Sequence, residues 1–154
     1  MKYLINYAIN NCQYIAASNE GDAVATATGA YIAKRKSVVL FQNSGLTNAT
    51  SPLTSLNYPF RIPILGFVSL RGERGLNDEP QHELMGQITT DMLDIMKIKW
   101  DYLSTNQRKA SRQLEEADKY IKKDIPFFFI VKKGTFGEER LLDQKNITRL
   151  NSLK

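Results

Sequence analysis

The stretch YIAASNEGDAVATATGAYIAKRKSVVLFQ, residues 14–42, decides the fold of this chain. It begins with a short apolar run, continues through a segment of small residues and ends in an apolar, β-branched run. Gly21, Ala25 and Gly29 recur at every fourth position, the spacing that places residues on one face of a helix. The stretch therefore predicts a strand, a closely packed helix over residues 20–35 and a second, buried strand.

The same alternation continues along the rest of the chain. The second strand covers residues 37–42. Further strands are predicted at residues 62–70 and 126–133, with a weaker one at 99–104. Helices are predicted within residues 43–58, 81–96 and 106–123. Pro52 fits the first of these helices only if that helix starts late or kinks there. The final residues RLNSLK predict a frayed tail. Such alternation predicts an α/β domain of three layers around a mainly parallel central sheet.

Length and composition restrict the class of protein. The chain has 154 residues, 42% of them hydrophobic, which predicts a single domain over residues 1–154. No apolar run approaches the roughly 20 residues that cross a bilayer, and the first residues lack the pattern of a signal peptide. Cys12 is the only cysteine, so an intrachain disulfide is excluded and a cytoplasmic location is expected.

The formal net charge is +5, and much of the excess lies in the last third of the chain. A basic balance can serve nucleic acid or a small anionic substrate. Here the basic residues are scattered and interrupted by acids, and no nucleic-acid-binding motif occurs. Nucleic-acid binding by a basic α/β protein is therefore the least favoured alternative, and no membrane contact is expected.

Polar, glycine-containing segments follow three consecutive predicted strands. Glu20 follows the first strand, QNSG (residues 42–45) the second, and RGERGLNDEPQH (residues 71–82) the third. Because the carboxyl ends of parallel strands meet at one rim of a sheet, we expect a site there. For each segment alone a simpler reading stays open: Glu20 can serve the helix dipole, and glycine and asparagine can merely form turns.

Four segments in this order carry a resemblance to a known family: NEGDAVATATGAY, QNSGLTNATSPLTSL, RGERGLNDEPQHELMGQIT and VKKGTF. Over roughly residues 14–136 the chain resembles the pyrimidine-binding domain of thiamine diphosphate-dependent 2-oxoacid decarboxylases. The nearest branch is phosphonopyruvate decarboxylase, with sulfopyruvate decarboxylase beside it. The resemblance implies a carboxy-lyase that converts 3-phosphonopyruvate to phosphonoacetaldehyde and carbon dioxide. The alternatives are the alpha subunit of a sulfopyruvate decarboxylase and a truncated, non-catalytic relic.

The resemblance also implies roles for individual residues. In this family a glutamate at the strand–helix junction hydrogen-bonds the aminopyrimidine of the cofactor, and Glu20 matches that position. The catalytic residues are expected to be Glu20 and His82, the cofactor-binding residues Glu20, Asn43, Ser44, Gly45 and Asn48, and the substrate-binding residues Arg71, Arg74 and Gln81. Other readings remain: Asp78 and Glu79 can simply neutralise the arginines, and a lone histidine can be structural.

The chain departs from the family in two ways. The family's diphosphate-binding domain carries a Gly-Asp-Gly motif, and no such motif occurs in this sequence. The ligands for Mg²⁺ are therefore expected from a partner chain within a homo- or hetero-oligomer, and no metal ligand is assigned here. Family members also begin with a helix, a strand and a loop before the stretch matching MKYLINYAINN, so the sheet is expected to lack its first strand.

Overall fold

The computed structural model describes residues 1–142 and 147–149. The helices are α1 (Lys2–Asn11), α2 (Glu20–Ile32), α3 (Leu46–Pro52), α4 (Glu83–Ile95) and α5 (Gln107–Ile121). The strands are β1 (Tyr14–Ala16), β2 (Val38–Gln42), β3 (Leu65–Ser69), β4 (Lys99–Tyr102), β5 (Phe127–Val131) and β6 (Ile147–Arg149). Short 3₁₀ turns lie at Asn43–Gly45 and Pro80–His82, and a π-helical turn at Leu53–Asn57.

A four-stranded parallel sheet forms the centre, with strand order β2-β3-β5-β4. The continuous apolar runs in β2, β3 and β5 suit strands that are covered on both faces. All five residues of β5 are buried, and Phe128 and Phe129 have no exposed surface. Burying one such side chain contributes about 1.5–3 kcal/mol. The predicted α/β class and parallel sheet are confirmed.

Alternate residues of the strands supply two separate hydrophobic clusters, which makes three layers. On one face α2, α3 and α4 pack against the strand residues Val39, Phe41, Val68, Phe128 and Ile130. On the other face α1 and α5 pack against Leu40, Leu65, Phe67, Phe127, Phe129 and Val131. The connections thus place helices on both faces of the sheet, as the alternating sequence predicts.

The first strand differs from the prediction. β1 has three residues and pairs in parallel with β6, forming a two-stranded sheet apart from the central one. β1 is short and only half-buried, so it lacks the apolar surface that a central strand buries on two faces. β6 was not predicted; Arg149, placed in the polar tail, belongs to it, and the rest of that tail lies outside the described residues.

The small-residue face of α2 was also placed wrongly in part. Its buried residues are Val24, Ala27 and Thr28, whereas Ala25 and Gly29 are exposed. The helix ends at Ile32, three residues earlier than predicted. The reason for that end is a left-handed residue, Lys34, at φ 60°, after which the Arg35 N–H donates to the Ala30 carbonyl.

Pro52 is the last residue of α3, and it is accommodated by a change of helix type there and not by a late start of the helix. α3 begins at Leu46, and the chain continues from Pro52 directly into the π-helical turn. α1, which the sequence did not indicate, is held by its asparagines: Asn10 Nδ2 donates to the Arg140 carbonyl and Asn10 Oδ1 accepts from the Leu142 N–H. Within residues 1–142 and 147–149 no helix combines the length and apolar character needed to cross a membrane.

Candidate functional site

The three polar segments meet, and they do so mainly through side-chain contacts between α2, the turn after β2 and the loop after β3. Glu20 is the first residue of α2, directly after Asn19, whose side chain caps the helix by accepting the Asp22 N–H at 2.9 Å. This cap fixes the direction in which the half-buried Glu20 side chain leaves the helix. Its Oε2 accepts a hydrogen bond of 2.8 Å from Asn48 Nδ2.

Gly45 provides the space that Glu20 occupies. A Cβ atom at Gly45 would lie 2.2 Å from Glu20 Cγ, 2.4 Å from Cδ and 2.5 Å from Oε1. The glutamate side chain therefore lies directly against the Cα of Gly45, and any larger residue there would displace it. The predicted close approach at Gly45 is the approach of this carboxylate.

A second close contact joins the two helices beneath this pair. A Cβ atom at Gly21 would lie 2.9 Å from the carbonyl oxygen of Asn48. Pro52, four residues later, has no N–H to donate to that carbonyl. The glycine thus allows α2 to approach α3 closely, which brings Asn48 within reach of Glu20.

Asn43 requires a correction, because its side chain points into the protein. It has no exposed surface, its Nδ2 donates to the Arg71 carbonyl at 2.9 Å and to Thr89 Oγ1 at 3.0 Å, and its Oδ1 accepts from the Arg71 N–H at 3.2 Å. With both ends of the amide engaged, Asn43 joins the two loops of the site instead of contacting a cofactor.

Asp78 is the centre of the loop after β3. Its carboxylate receives Nε and Nη2 of Arg71, and also the N–H groups of Gly72 and Glu79, both at 2.8 Å. The Arg71 guanidinium, followed by the backbone N–H groups, holds the pKa of Asp78 far below its usual range, and Asp78 in turn raises the pKa of Arg71. The ion pair between Lys132 and Glu73 ties the same loop to the end of β5.

His82 is buried against this loop and contacts Asp78 on one side. Its Nδ1 lies 3.0 Å from Asp78 Oδ1, and its Nε2 lies 3.2 Å from Nε2 of Gln42. Gln42 also donates to Ser44 Oγ at 2.9 Å. A continuous set of polar contacts therefore runs from the loop of residues 71–82 to the turn beside Glu20.

Gln42 is the residue that the sequence reasoning passed over. It is the last residue of β2, and its position at the carboxyl end of a buried strand was the available signal. Its partner His82 lies 40 positions away in the sequence, so no local pattern identifies the contact.

The substrate-binding candidates occupy different surroundings. Arg71 is paired with Asp78, as the alternative reading held, with 41% of its side chain exposed. Arg74 is exposed, and its Nη2 donates to Gln87 Oε1 at 3.2 Å. Gln81 is exposed beside the buried His82. Two open clefts of about 240 and 420 Å³ adjoin Arg74, and neither is lined by Glu20 or His82.

No group of three or more histidine, cysteine, aspartate or glutamate side chains comes together as a metal site among the residues with described positions. The polar contacts of the site are instead made by carboxylate, amide, guanidinium and imidazole groups.

Comparison with known proteins gives two groups of relatives, whereas no family model matches the chain. The chain is 37% identical over 142 residues to a phosphonopyruvate decarboxylase of Streptomyces viridochromogenes, covering 90% of this chain and 36% of that protein. It is 32% identical over 153 residues to a phosphonopyruvate decarboxylase of Streptomyces hygroscopicus, covering 97% of this chain and 38% of that protein.

The second group carries a different name. The chain is 35% identical over 101 residues to the sulfopyruvate decarboxylase subunit alpha of Methanococcus maripaludis, covering 64% of this chain and 59% of that protein. These matches confirm the resemblance to the decarboxylases that the sequence motifs indicated. The chain spans less than two-fifths of the length of the Streptomyces relatives.

Proposed function

We propose that this chain is the pyrimidine-binding part of a thiamine diphosphate-dependent 2-oxoacid decarboxylase whose substrate is 3-phosphonopyruvate. The observation that carries the proposal is the placement of Glu20: a half-buried carboxylate at a helix start, held by Asn48 and lying against the bare Cα of Gly45. The similarity to phosphonopyruvate decarboxylases over most of the chain supports the choice of reaction.

The residues around Glu20 fit an aminopyrimidine ring. Asn48 donates a hydrogen bond to Oε2 of Glu20, and among residues 1–142 and 147–149 no donor reaches Oε1 of Glu20. That oxygen is therefore available to share a proton with a ring nitrogen. The absence of a side chain at Gly45 lets the carboxylate lie against the turn after β2, where the proposal places the ring.

The chemistry divides between the cofactor and this chain. Thiamine diphosphate, when bound, supplies the sink for the electrons released with carbon dioxide. Glu20 would hold a proton at the pyrimidine side and orient the ring once it is bound, and the Asn48 hydrogen bond keeps Glu20 in place. We assign Ser44, in the same turn as Gly45, to the ring site and His82 to a proton on the substrate side.

The phosphonate group of the substrate needs a cationic contact, and a guanidinium is suited to such oxyanions. Arg74 is the better placed of the two arginines, because Arg71 is already paired with Asp78. Gln81, exposed next to His82, offers an amide to the 2-oxo acid. In this proposal Arg71 contributes by fixing the loop.

The ligands for Mg²⁺ and for the diphosphate group come from residues outside this 154-residue sequence, which contains no Gly-Asp-Gly motif. We place them on a partner chain in an oligomer, with residues 1–154 acting as one domain and the assembly in the cytoplasm.

A second candidate substrate is sulfopyruvate. The relatives named sulfopyruvate decarboxylase subunit alpha are matched over 51–63% of their own length, a larger share than for the phosphonopyruvate decarboxylases. Those relatives are named as one subunit of an enzyme, which fits a partner chain that carries the diphosphate contacts. A phosphonate and a sulfonate present similar oxygens to an arginine, so the site residues alone do not separate the two.

Reconstitution tests the proposal. The chain is mixed with a partner that carries Gly-Asp-Gly, together with thiamine diphosphate and Mg²⁺, and aldehyde formation from 3-phosphonopyruvate and from sulfopyruvate is followed in parallel. We expect turnover only with both chains, and faster with the phosphonate. Faster turnover of the sulfonate would favour the second candidate, and a stable complex without turnover of either acid would favour a non-catalytic relic.

A further inference from the structure

We infer that Asp78 and Gln42 hold His82 in a single tautomer, with the proton on Nδ1 and a lone pair on Nε2, so that His82 serves the site as a proton acceptor. The tautomer itself follows from the contacts of these three side chains. Its chemical consequence rests on the proposed function, because it concerns how a proton moves at the substrate side of the same site.

Asp78 determines that Nδ1 of His82 carries a proton. Its two oxygens already accept from the Arg71 guanidinium and from the backbone N–H groups of Gly72 and Glu79. A carboxylate with so many donors stays ionised, and an ionised carboxylate can only accept hydrogen bonds. At the 3.0 Å contact between Asp78 Oδ1 and His82 Nδ1, the proton must therefore belong to the imidazole.

Gln42 determines that Nε2 of His82 carries a lone pair. The Gln42 amide nitrogen has two N–H bonds, and it contacts two atoms: Ser44 Oγ at 2.9 Å and His82 Nε2 at 3.2 Å. An amide N–H can only donate, so it needs a lone pair on Nε2. A proton on Nε2 would face the amide protons of Gln42. The two neighbours thus specify opposite roles for the two ring nitrogens.

The consequence is a direction for proton transfer. In this tautomer His82 cannot donate from Nε2 until it has first accepted a proton there, so it begins the cycle as a base. A group that approaches Nε2 replaces the Gln42 amide, and the freed amide stays bonded to Ser44. Gln42 and Asp78 are positioning residues for this step, and neither needs to touch the substrate.

The single histidine makes the test direct. In the full chain labelled with ¹⁵N, long-range ¹H–¹⁵N correlation of the imidazole reports the protonation of each ring nitrogen, and His82 is the only source of such signals. At a pH of about 8, where an ordinary imidazole is neutral, we expect a protonated Nδ1 and a bare Nε2. A protonated Nε2 in the wild-type chain would overturn the inference.

Gln42→Glu gives the matched comparison. A carboxylate in place of the amide can only accept, so we expect Nε2 to carry a proton in this variant. Gln87→Glu makes the same chemical change at an exposed position whose amide contacts Arg74 and not His82, and it should leave the wild-type signals unchanged. Gln42→Glu signals identical to those of the wild type would show that Gln42 does not govern this nitrogen.

The reconstituted enzyme tests the consequence separately. We expect Gln42→Glu to lower kcat by roughly tenfold or more while KM changes little, because a proton on Nε2 removes the acceptor and a positioned general base contributes about 10²–10⁴-fold. Wild-type turnover with an unchanged kcat in Gln42→Glu would overturn the acceptor role. Absence of turnover in the wild type would count against the proposed function, while the tautomer measurement would still decide its own question.

Discussion

At the scale of single residues, the contact between Gly45 and Glu20 leaves no room for a side chain at position 45. A methyl group at position 45 would lie within 2.5 Å of three atoms of the Glu20 side chain. We predict that Gly45→Ala moves the carboxylate away from Asn48 and removes most of the turnover of the reconstituted enzyme. Because the end of Glu20 is flexible, the fold should survive with a loss of about 1–3 kcal/mol, measured by chemical denaturation.

Gly29→Ala is the control for this change. Gly29 lies inside α2 and has nothing within 4 Å of the position that a Cβ would take. Replacing glycine by alanine inside a helix stabilises it by about 0.5–1 kcal/mol. We therefore expect a more stable protein with unchanged turnover. If Gly45→Ala behaved in the same way as Gly29→Ala, the role given to the glycine at position 45 would be wrong.

The hydrogen bonds to Asp78 predict a dependence of stability on pH. Because the folded pKa of Asp78 is lowered, its contribution is present above the unfolded value of about 3.9 and is lost as the pH falls below it. We expect Asp78→Asn to be less stable than the wild type at neutral pH and to show a shallower decline in unfolding free energy below about pH 4.

Asp91→Asn is the matched control for the unfolding free energy of Asp78→Asn at low pH. Asp91 is exposed on α4 and makes no hydrogen bond with the residues whose positions are described. Urea denaturation at a series of pH values compares the two variants. Equal slopes for Asp78→Asn and the wild type below pH about 4 would contradict the assignment of this ionisation to Asp78.

Much of the site could be predicted at this scale. The sequence placed Glu20 and Gly45 at one rim by their positions at a helix start and after a strand, and the family resemblance added Asn48, which the structure brings to Glu20. Sequence reasoning could not give the direction of a side chain inside a 3₁₀ turn, and so it assigned the buried Asn43 to the cofactor. It also could not find Gln42, whose role depends on the distant His82.

At the scale of helices and strands, four connections share one way of ending. Among the described residues outside glycine, Lys34, Arg61, Lys97 and Asp124 have φ between 52° and 60°. Each follows a helix or helical turn. The N–H of the residue after it donates to the carbonyl of the residue five positions before the donor, as the Ile98 N–H after Lys97 donates to the Leu93 carbonyl. Glycine usually occupies this left-handed position at a helix end, and here larger residues adopt it at a cost in free energy.

Lys97→Gly should therefore stabilise the protein. Relief of the left-handed strain stabilises the folded state, and the greater freedom of the unfolded glycine variant offsets part of that gain. The net increase in the free energy of unfolding is about 1 kcal/mol. The opposite change, Gly75→Ala, places a side chain at φ 82° where nothing lies within 4 Å, so only backbone strain is added. We expect thermal unfolding to shift upward for Lys97→Gly and downward for Gly75→Ala; a lower melting temperature for Lys97→Gly would contradict the assigned strain.

The elements themselves show where sequence patterns succeed. The buried strands β2, β3 and β5 were predicted correctly because their apolar runs allow few other structures. The short strand β1 was predicted, but its partner was not, because three half-buried residues do not specify a neighbour. For α2 the small residues were visible, yet the buried face was the one that contains Val24 and Ala27.

At the scale of the whole molecule, the distribution of charge has a structural explanation. Basic residues precede each strand of the central sheet: Lys34, Arg35 and Lys36 before β2, Arg61 before β3, Lys97 before β4, and Lys122 and Lys123 before β5. The helices α2, α4 and α5 end at this edge, where cations complement the negative end of each helix dipole. These cations lie at the edge opposite the candidate site, whereas most of the net charge of +5 lies in residues 101–154, which hold twelve basic and eight acidic residues.

The placement of the site has a consequence for assembly. The candidate site residues lie at the carboxyl ends of β2 and β3 and at the start of α2, and under the proposed function they contact the ring and the small acid. The proposed function assigns the diphosphate contacts to a partner. Activity should therefore belong to the assembly, and a change in this chain should be able to abolish turnover without preventing association.

The measurement to make first is the turnover of the reconstituted enzyme with Glu20→Gln, beside Asp22→Asn as the control. Both acids lie in the first turn of α2, so both serve the helix dipole, but only Glu20 lies against Gly45. Loss of the proton-sharing carboxylate should lower kcat by about 10²–10⁴-fold with assembly intact, whereas Asp22→Asn should leave turnover nearly unchanged. Equal turnover in Glu20→Gln and the wild type would contradict the role proposed for this chain.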